Sequence, residues 1–275
     1  MKLFHGPVER LQSLQGEQLR GPKLDLEILQ EAGCFVVQNA LSMVRIEELL
    51  SRYNKLSQSQ KPADAQHPTE IRLETLQSMG GFTEDDKIQD IAKKLFNEET
   101  GWDFLRIVRK DAEHREPVFL HQDFCYQMGS GNSYSLFIAL TPNHPDNGGI
   151  CVHLGTHQLG YLGDAGELNS NVLPEGLPTL QANLSPGDAL IMHSAAWHES
   201  GRNNEGSDRV YLELHLVSSE SPYSKGNICG FKQSSWSFNG TLINRDMNRL
   251  FTNSRSQRLQ DLYSQLQDKD NPEQS

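Results

Sequence analysis

Three stretches of this chain place a histidine two residues before a carboxylate: His114-Arg115-Glu116, His121-Gln122-Asp123 and His144-Pro145-Asp146. In extended backbone, residues i and i+2 point the same way, so such a pair can offer an imidazole nitrogen and a carboxylate oxygen to one metal ion. Ten histidines and 36 acids in 275 residues produce roughly 1.3 such triplets by chance, so the surroundings must choose among them. His144 stands in Thr141-Pro142-Asn143-His144-Pro145-Asp146-Asn147-Gly148-Gly149, nearly all turn formers, and reads as a hairpin loop. His114 lies in the charged run Lys110-Asp111-Ala112-Glu113-His114-Arg115-Glu116, which reads as a solvated turn. His121 follows the apolar Val118-Phe119-Leu120 and precedes Phe124 and Tyr126, the pattern of a strand entering a pocket with aromatic walls.

A site for non-haem iron needs a second imidazole, with open positions left on the metal. The best source is Pro186-Gly187-Asp188-Ala189-Leu190-Ile191-Met192, a turn feeding a buried strand, with His198 just beyond the strand's end in Trp197-His198-Glu199-Ser200-Gly201. Arg209 then leads directly into Val210 to Val217. His153, His193 and His215 fall in or beside predicted strands and read as hydrogen-bonded core residues.

The elements that must position these residues change character along the chain. Residues 1–23 are polar and read as a loose arm. Leu24 to Glu31 has helical apolar spacing with Gly33 as its stop, and Cys34-Phe35-Val36-Val37 reads as a short buried strand. Ser42 caps a predicted helix to about Leu56, and a further helix is predicted over Asp85 to Asn97. From residue 104 to 217 short apolar segments recur between Gly, Pro, Asn and Asp turns. Tyr211-Leu212-Glu213-Leu214-His215-Leu216 alternates with period two. The expectation is a mainly β protein with flanking helices around a sandwich or jelly-roll core, in a single domain. The segment from 218 to 275 reads as partly helical. The 57–84 region and the 158–180 loop are candidate lids.

The motifs resemble the phytanoyl-CoA dioxygenase family of Fe(II)/2-oxoglutarate-dependent dioxygenases. That family carries His-x-Asp, a later Pro-Gly-Asp strand, His-x-Ser-Gly, and an arginine eleven residues after that histidine. Here these are His121-Gln122-Asp123, Pro186-Gly187-Asp188, His198-Glu199-Ser200-Gly201 and Arg209. Ile138-Ala139-Leu140, Asn147-Gly148-Gly149 and Gly155-Thr156-His157 are similar as well, and the resemblance covers roughly residues 24 to 217. It implies a double-stranded β-helix (cupin-like jelly roll). It further implies that His121, Asp123 and His198 bind Fe(II), and that Arg209 and Ser200 hold the far carboxylate of the co-substrate 2-oxoglutarate. A planar guanidinium suits a two-pronged carboxylate contact. Two positions depart from the family. Phe137 stands where many relatives have Trp on the 2-oxoglutarate wall, and Leu154 stands where a proline is common, leaving His157 to a structural role. A further basic or amide residue often assists 2-oxoglutarate, with Arg72, Arg106 and Arg109 as candidates. Phe124, Tyr126 and Trp197 either line the substrate pocket or pack in the core. The implied reaction hydroxylates a small molecule with O2 as second co-substrate, and an intact Asp123 favours hydroxylation over halogenation.

Composition narrows the alternatives. A net charge of −11 argues against nucleic acid as a partner. The longest apolar runs are too short for a membrane span. The first residues carry no apolar signal segment, and Cys34, Cys125, Cys151 and Cys229 form no CxxC pair, so a reducing cytoplasm is expected. Two other readings remain: a cupin-like hydrolase or isomerase using another metal, which would have no use for Arg209 and Ser200, and a non-catalytic binding protein. Substrate identity and oligomeric state leave no signal.

Overall fold

A computed structural model describes residues 11–14, 16–59, 70–123, 131–160, 173 and 176–231. Residues 1–10 of the predicted arm and the C-terminal segment from 232 lie outside the described residues, and the rest of that arm is not loose, since Leu11 and Leu19 are buried in the core.

Helix α1 (Leu26–Ala32) starts where the Asp25 carboxylate accepts the Ile28 N–H at 3.1 Å. It stops at Gly33, whose φ of 82° lets its N–H reach the Leu29 carbonyl at 2.8 Å. Helix α2 (Met43–Ser59) is capped as expected by Ser42, which accepts the Arg45 N–H at 3.3 Å. Helix α3 (Asp86–Lys94) ends earlier than its apolar spacing predicts. Leu95 leaves the helix with extended backbone, and Phe96, Asn97 and Glu98 take positive φ, turning the chain into the first long strand. Among the described residues no helix is long and apolar enough to cross a membrane.

Twelve strands follow the predicted pattern of short segments between turns. They are β1 (Arg20–Gly21), β2 (Cys34–Val37), β3 (Glu70–Leu73), β4 (Thr100–Lys110), β5 (Val118–His121), β6 (Tyr134–Ala139), β7 (Ile150–His153), β8 (Thr179–Gln181), β9 (Ala189–His193), β10 (His198–Ser200), β11 (Arg209–Ser218) and β12 (Gly226–Asn227). The large sheet runs β1-β2-β9-β6-β11-β4-β12, with β3 also paired to β4; the small sheet runs β5-β10-β7-β8. Phe137, Ala139, Leu190, Met192 and Tyr211 of the large sheet pack against Ile150, Val152 and Leu180 of the small one. Leu105, Ile107, Leu136, Ile138, Leu212 and Leu214, on the opposite face, pack against Leu29, Ile46, Leu49, Ile88 and Ile91. The result is a jelly roll with helices on one face.

This layering decides what strand β11 does. Its alternating pattern predicts one wet face, yet every residue from Arg209 to Val217 is buried. Leucines face the helices, and Arg209, Tyr211, Glu213 and His215 project between the sheets. The Pro-Gly-Asp turn before β9 requires its glycine. Gly187 has φ +92°, and a Cβ there would stand 2.5 Å from the Leu41 carbonyl oxygen.

Candidate metal centre and anion pocket

Strands β5 and β10 pair antiparallel with His198 opposite His121, so residues 77 positions apart in sequence bring their rings to 4.1 Å. Asp123, two residues past His121, completes the group. Its Oδ1 lies 3.7 Å from His121 Nε2 and 3.6 Å from His198 Nε2. Among the described residues, His121, Asp123 and His198 form one of three clusters able to hold a metal ion, and the most buried of them. Backbone carbonyls orient both imidazoles. His121 Nδ1 donates to Phe119 O at 2.7 Å and His198 Nδ1 to Ala196 O at 3.0 Å, which makes Nε2 the unprotonated nitrogen of each neutral ring. The Ser135 hydroxyl donates to Asp123 Oδ2 at 2.9 Å, turning Oδ1 toward the imidazoles.

The electrostatics fit a cation. Burial, reinforced by the neighbouring His121, pulls the His198 pKa down to about 4, so its ring is neutral at physiological pH. Burial pushes the Asp123 carboxyl the other way, but His198, His121, Arg106 and the Ser135 hydroxyl outweigh it and hold the group below the usual carboxylate range. Two imidazole lone pairs and a carboxylate oxygen therefore converge on one point, an arrangement that repels itself until a positive ion sits there. Two nitrogens and one oxygen on one side are the donor set of non-haem iron(II) sites.

Arg209 begins β11 and is 2 % exposed. Its guanidinium lies 4.7 Å over the Tyr211 ring, and its Nε is buried without a hydrogen-bond partner. Burial pulls its pKa down, and Tyr211 alone opposes that. Among the described residues no carboxylate pairs with it. A buried guanidinium without an acid costs several kcal/mol, so the site is built for an anion supplied from outside. Ser200, two residues after His198 on β10, faces the same interior. Phe137 meets the Tyr211 ring edge-on at 5.7 Å, forming an aromatic wall beside Arg209.

The three arginines named from the sequence are exposed or engaged with other groups. Arg72 is exposed. Arg109 contacts Asp111 at 3.4 Å and hydrogen-bonds Tyr53 on the helical side. Arg106 is held by Glu70 at 2.9 Å and Glu213 at 2.5 Å. A further basic residue beside Ser200 is Lys110, which the sequence assigns to a solvated turn. It instead ends β4 directly opposite Arg209 and is 3 % exposed. Its Nζ donates to Ser200 Oγ at 2.8 Å and to the Gly201 carbonyl. Because the ammonium occupies an acceptor lone pair of Ser200, the serine's own proton remains available to an anion. A Cβ on Gly148 would lie 2.9 Å from Lys110 Cδ and 3.2 Å from Nζ, at φ +82°. Gly148→Ala is therefore expected to displace Lys110 and weaken 2-oxoglutarate binding about tenfold, an effect of roughly 1.4 kcal/mol, read by ligand titration.

Glu213 is a second residue that sequence reasoning misses. It is fully buried between the sheets, with Oε2 on Arg106 and Oε1 without a partner. Burial, only partly offset by Arg106, raises its pKa to about 7. A carboxyl raised on folding stabilises the fold below its unfolded pKa and loses that contribution as pH rises toward 7. Metal-free wild type should thus lose on the order of 3 kcal/mol relative to Glu213→Gln between pH 5 and pH 7.5, measurable by denaturant melts. A flat difference across that window would show that the group does not titrate there.

The remaining predicted residues fall as follows. His215 Nδ1 donates to the Asp103 carboxylate and its Nε2 accepts from Ser194 Oγ at 3.0 Å, a core histidine as expected, whereas His193, whose Nδ1 accepts the Ala195 N–H at 3.1 Å, is only half-buried. His157 bonds the Gln30 carbonyl at 2.9 Å and ties its turn to α1. His114 closes a turn on Asp111 at 2.9 Å, and His144 sits in the expected loop. Trp197 is buried against Leu120 and Leu173, its indole N–H without an acceptor. Phe124 and Tyr126 lie outside the described residues.

Residues 29–210 match the model of the phytanoyl-CoA dioxygenase (PhyH) family. The chain belongs to that family. Iron(II) and 2-oxoglutarate are its cofactors, and the donor set here is the one they require. Among curated proteins the chain is similar to dioxygenase olcK of Penicillium canescens, 25 % identical over 235 residues that cover 75 % of this chain and 74 % of that protein. It is also 22 % identical over 220 residues to the uncharacterized protein YJR154W of Saccharomyces cerevisiae, covering 68 % of this chain and 62 % of the yeast protein's length. The fold is shared with the epimerase SnoN, solved in complex with Fe3+, alpha ketoglutarate and nogalamycin RO. That match has a TM-score of 0.60 and 16 % identity, and covers 78 % of this chain and 84 % of SnoN.

Proposed function

We propose that this oxygenase hydroxylates an unactivated C–H bond of a small-molecule metabolite, with His121, Asp123 and His198 as iron ligands and Arg209 as the anchor of 2-oxoglutarate. The observation that carries the reading is Arg209, a sealed guanidinium with an unsatisfied Nε and no carboxylate partner among the described residues. A cupin-like hydrolase or a binding protein has no use for such a group beside a two-histidine, one-carboxylate cluster. When bound, Fe(II) with 2-oxoglutarate supplies the oxidising power of O2. One oxygen atom enters the substrate C–H bond, and the other enters succinate as CO2 leaves.

The chain's own residues bind, orient and exclude water. Arg209 would hold the distal carboxylate of 2-oxoglutarate, with the Ser200 hydroxyl, positioned by Lys110, as a further donor. The Phe119 and Ala196 carbonyls keep both imidazoles in the ligating tautomer, and Ser135 keeps Asp123 Oδ1 turned to the metal. Phe137 and Tyr211 close the aromatic wall and keep the reaction dry. Trp197 offers the substrate an apolar face and one unused N–H donor. The intact carboxylate of Asp123 favours hydroxylation over halogenation, which needs that ligand position open for a halide.

The test is anaerobic titration with Fe(II) and 2-oxoglutarate, watching for the weak visible charge-transfer band of the chelate. The band should appear in wild type and vanish in His198→Ala. Tight binding of another divalent metal with no band at any 2-oxoglutarate concentration would reject the reading.

A further inference from the structure

The small sheet has a second chemical face. On β7, Ile150 and Val152 turn into the sandwich, so Cys151 and His153 turn outward. On β10, His198 and Ser200 turn inward, so Glu199 between them also turns outward, and it pairs in register with Cys151. His153 Nε2 lies 3.2 Å from Glu199 Oε1, and one donor atom from each of Cys151, His153 and Glu199 lies within 4.8 Å of the others. We propose that Cys151 Sγ, His153 Nε2 and a Glu199 oxygen form a second metal site that takes a zinc-class divalent ion, separate from the catalytic centre.

A thiolate, an imidazole and a carboxylate, with a fourth position left to water, suit tetrahedral Zn(II). Thiolate donors also favour such an ion over Fe(II). The three residues stand on neighbouring paired strands rather than on loops, so they are held near one another by the backbone ladder. His153 is 9 % exposed and Cys151 and Glu199 are half-buried, which leaves the group open to an ion from solvent. Burial, with the Glu199 carboxylate beside it, raises the Cys151 pKa to about 11, so without a cation the sulfur keeps its proton. On binding, that proton leaves to solvent, the His153–Glu199 hydrogen bond opens, and the imidazole proton moves to Nδ1 so that Nε2 can ligate. No electron transfer is involved. An occupied site ties β7 to the strand whose inward residues are His198 and Ser200.

Cobalt(II) is the probe, because sulfur bound to cobalt gives an intense near-ultraviolet charge-transfer band that a site of two imidazoles and a carboxylate cannot give. Metal-free full-length protein titrated with Co(II) should develop that band, and added Zn(II) should remove it. Cys151→Ser should abolish it while keeping the weak visible bands of cobalt in the catalytic centre, and His153→Gln should weaken it at least tenfold in cobalt affinity. Saturation of wild type without a thiolate band would overturn the proposal, as would a band that persists in Cys151→Ser. Either result leaves the catalytic reading untouched, since that reading is tested by the iron–2-oxoglutarate chelate.

Discussion

Asp123→Ala is expected to abolish substrate-dependent succinate formation and to remove stoichiometric iron from the protein. Asp123 supplies the only carboxylate of the cluster and lies within 3.7 Å of both imidazoles. Removing an outer partner of a metal ligand costs about 10- to 100-fold in affinity or activity. Loss of the ligand itself must exceed that. Ser135→Ala, which removes only the 2.9 Å hydrogen bond to Asp123 Oδ2, provides the graded comparison and should fall within the smaller range. Iron content after anaerobic reconstitution, read beside succinate release, separates lost metal from lost folding. Full turnover by the Asp123 variant would end the assignment.

Arg209→Met should raise the Kd for 2-oxoglutarate by about two to three orders of magnitude. Truncating one partner of a buried charge pair costs about 2–5 kcal/mol, and each 1.4 kcal/mol is tenfold. The same variant should be no less stable than wild type when metal and 2-oxoglutarate are absent. The guanidinium then has no carboxylate among the described residues, and a well-packed apolar replacement of a buried ion is often neutral or stabilising. Lost affinity with retained apo stability is the signature of a ligand anchor, whereas a structural arginine would lose stability first. Calorimetric titration and a thermal melt decide it, and unchanged 2-oxoglutarate affinity would return Arg209 to a structural role.

The distribution of charge across the site explains why these effects should be large. Lys110 and Arg209 stand opposite each other on β4 and β11, both nearly sealed from solvent. Asp123 lies with His121 and His198. The interior thus offers cationic groups where an anionic co-substrate would lie and a carboxylate where a cation would. Those fields act in a low-dielectric space, where each contact is stronger than at a surface.

The grouping of His121, Asp123 and His198 and the strand that begins at Arg209 were legible from the chain because their signals are local. His121-Gln122-Asp123 and His198-Glu199-Ser200-Gly201 each lie on a short strand or its end, where alternation places side chains without reference to the rest of the molecule. Turn chemistry at Pro186-Gly187-Asp188 marked the start of β9, and Gly33 and Ser42 marked helix ends, since caps are satisfied within a few residues. What tertiary structure alone decided is which polar residues are buried. Lys110 looks like part of a charged turn until β4 pairs with β11 and sets it against Arg209, 99 positions away. Glu213 looks like an ordinary charge on an alternating strand until the small sheet covers it. Cys151 and Glu199 are unremarkable until β7 and β10 pair in register. Strand register and sheet packing are long-range facts, set by the whole hydrophobic core rather than by neighbours in sequence, and burial is what turns an ordinary charge into a binding group.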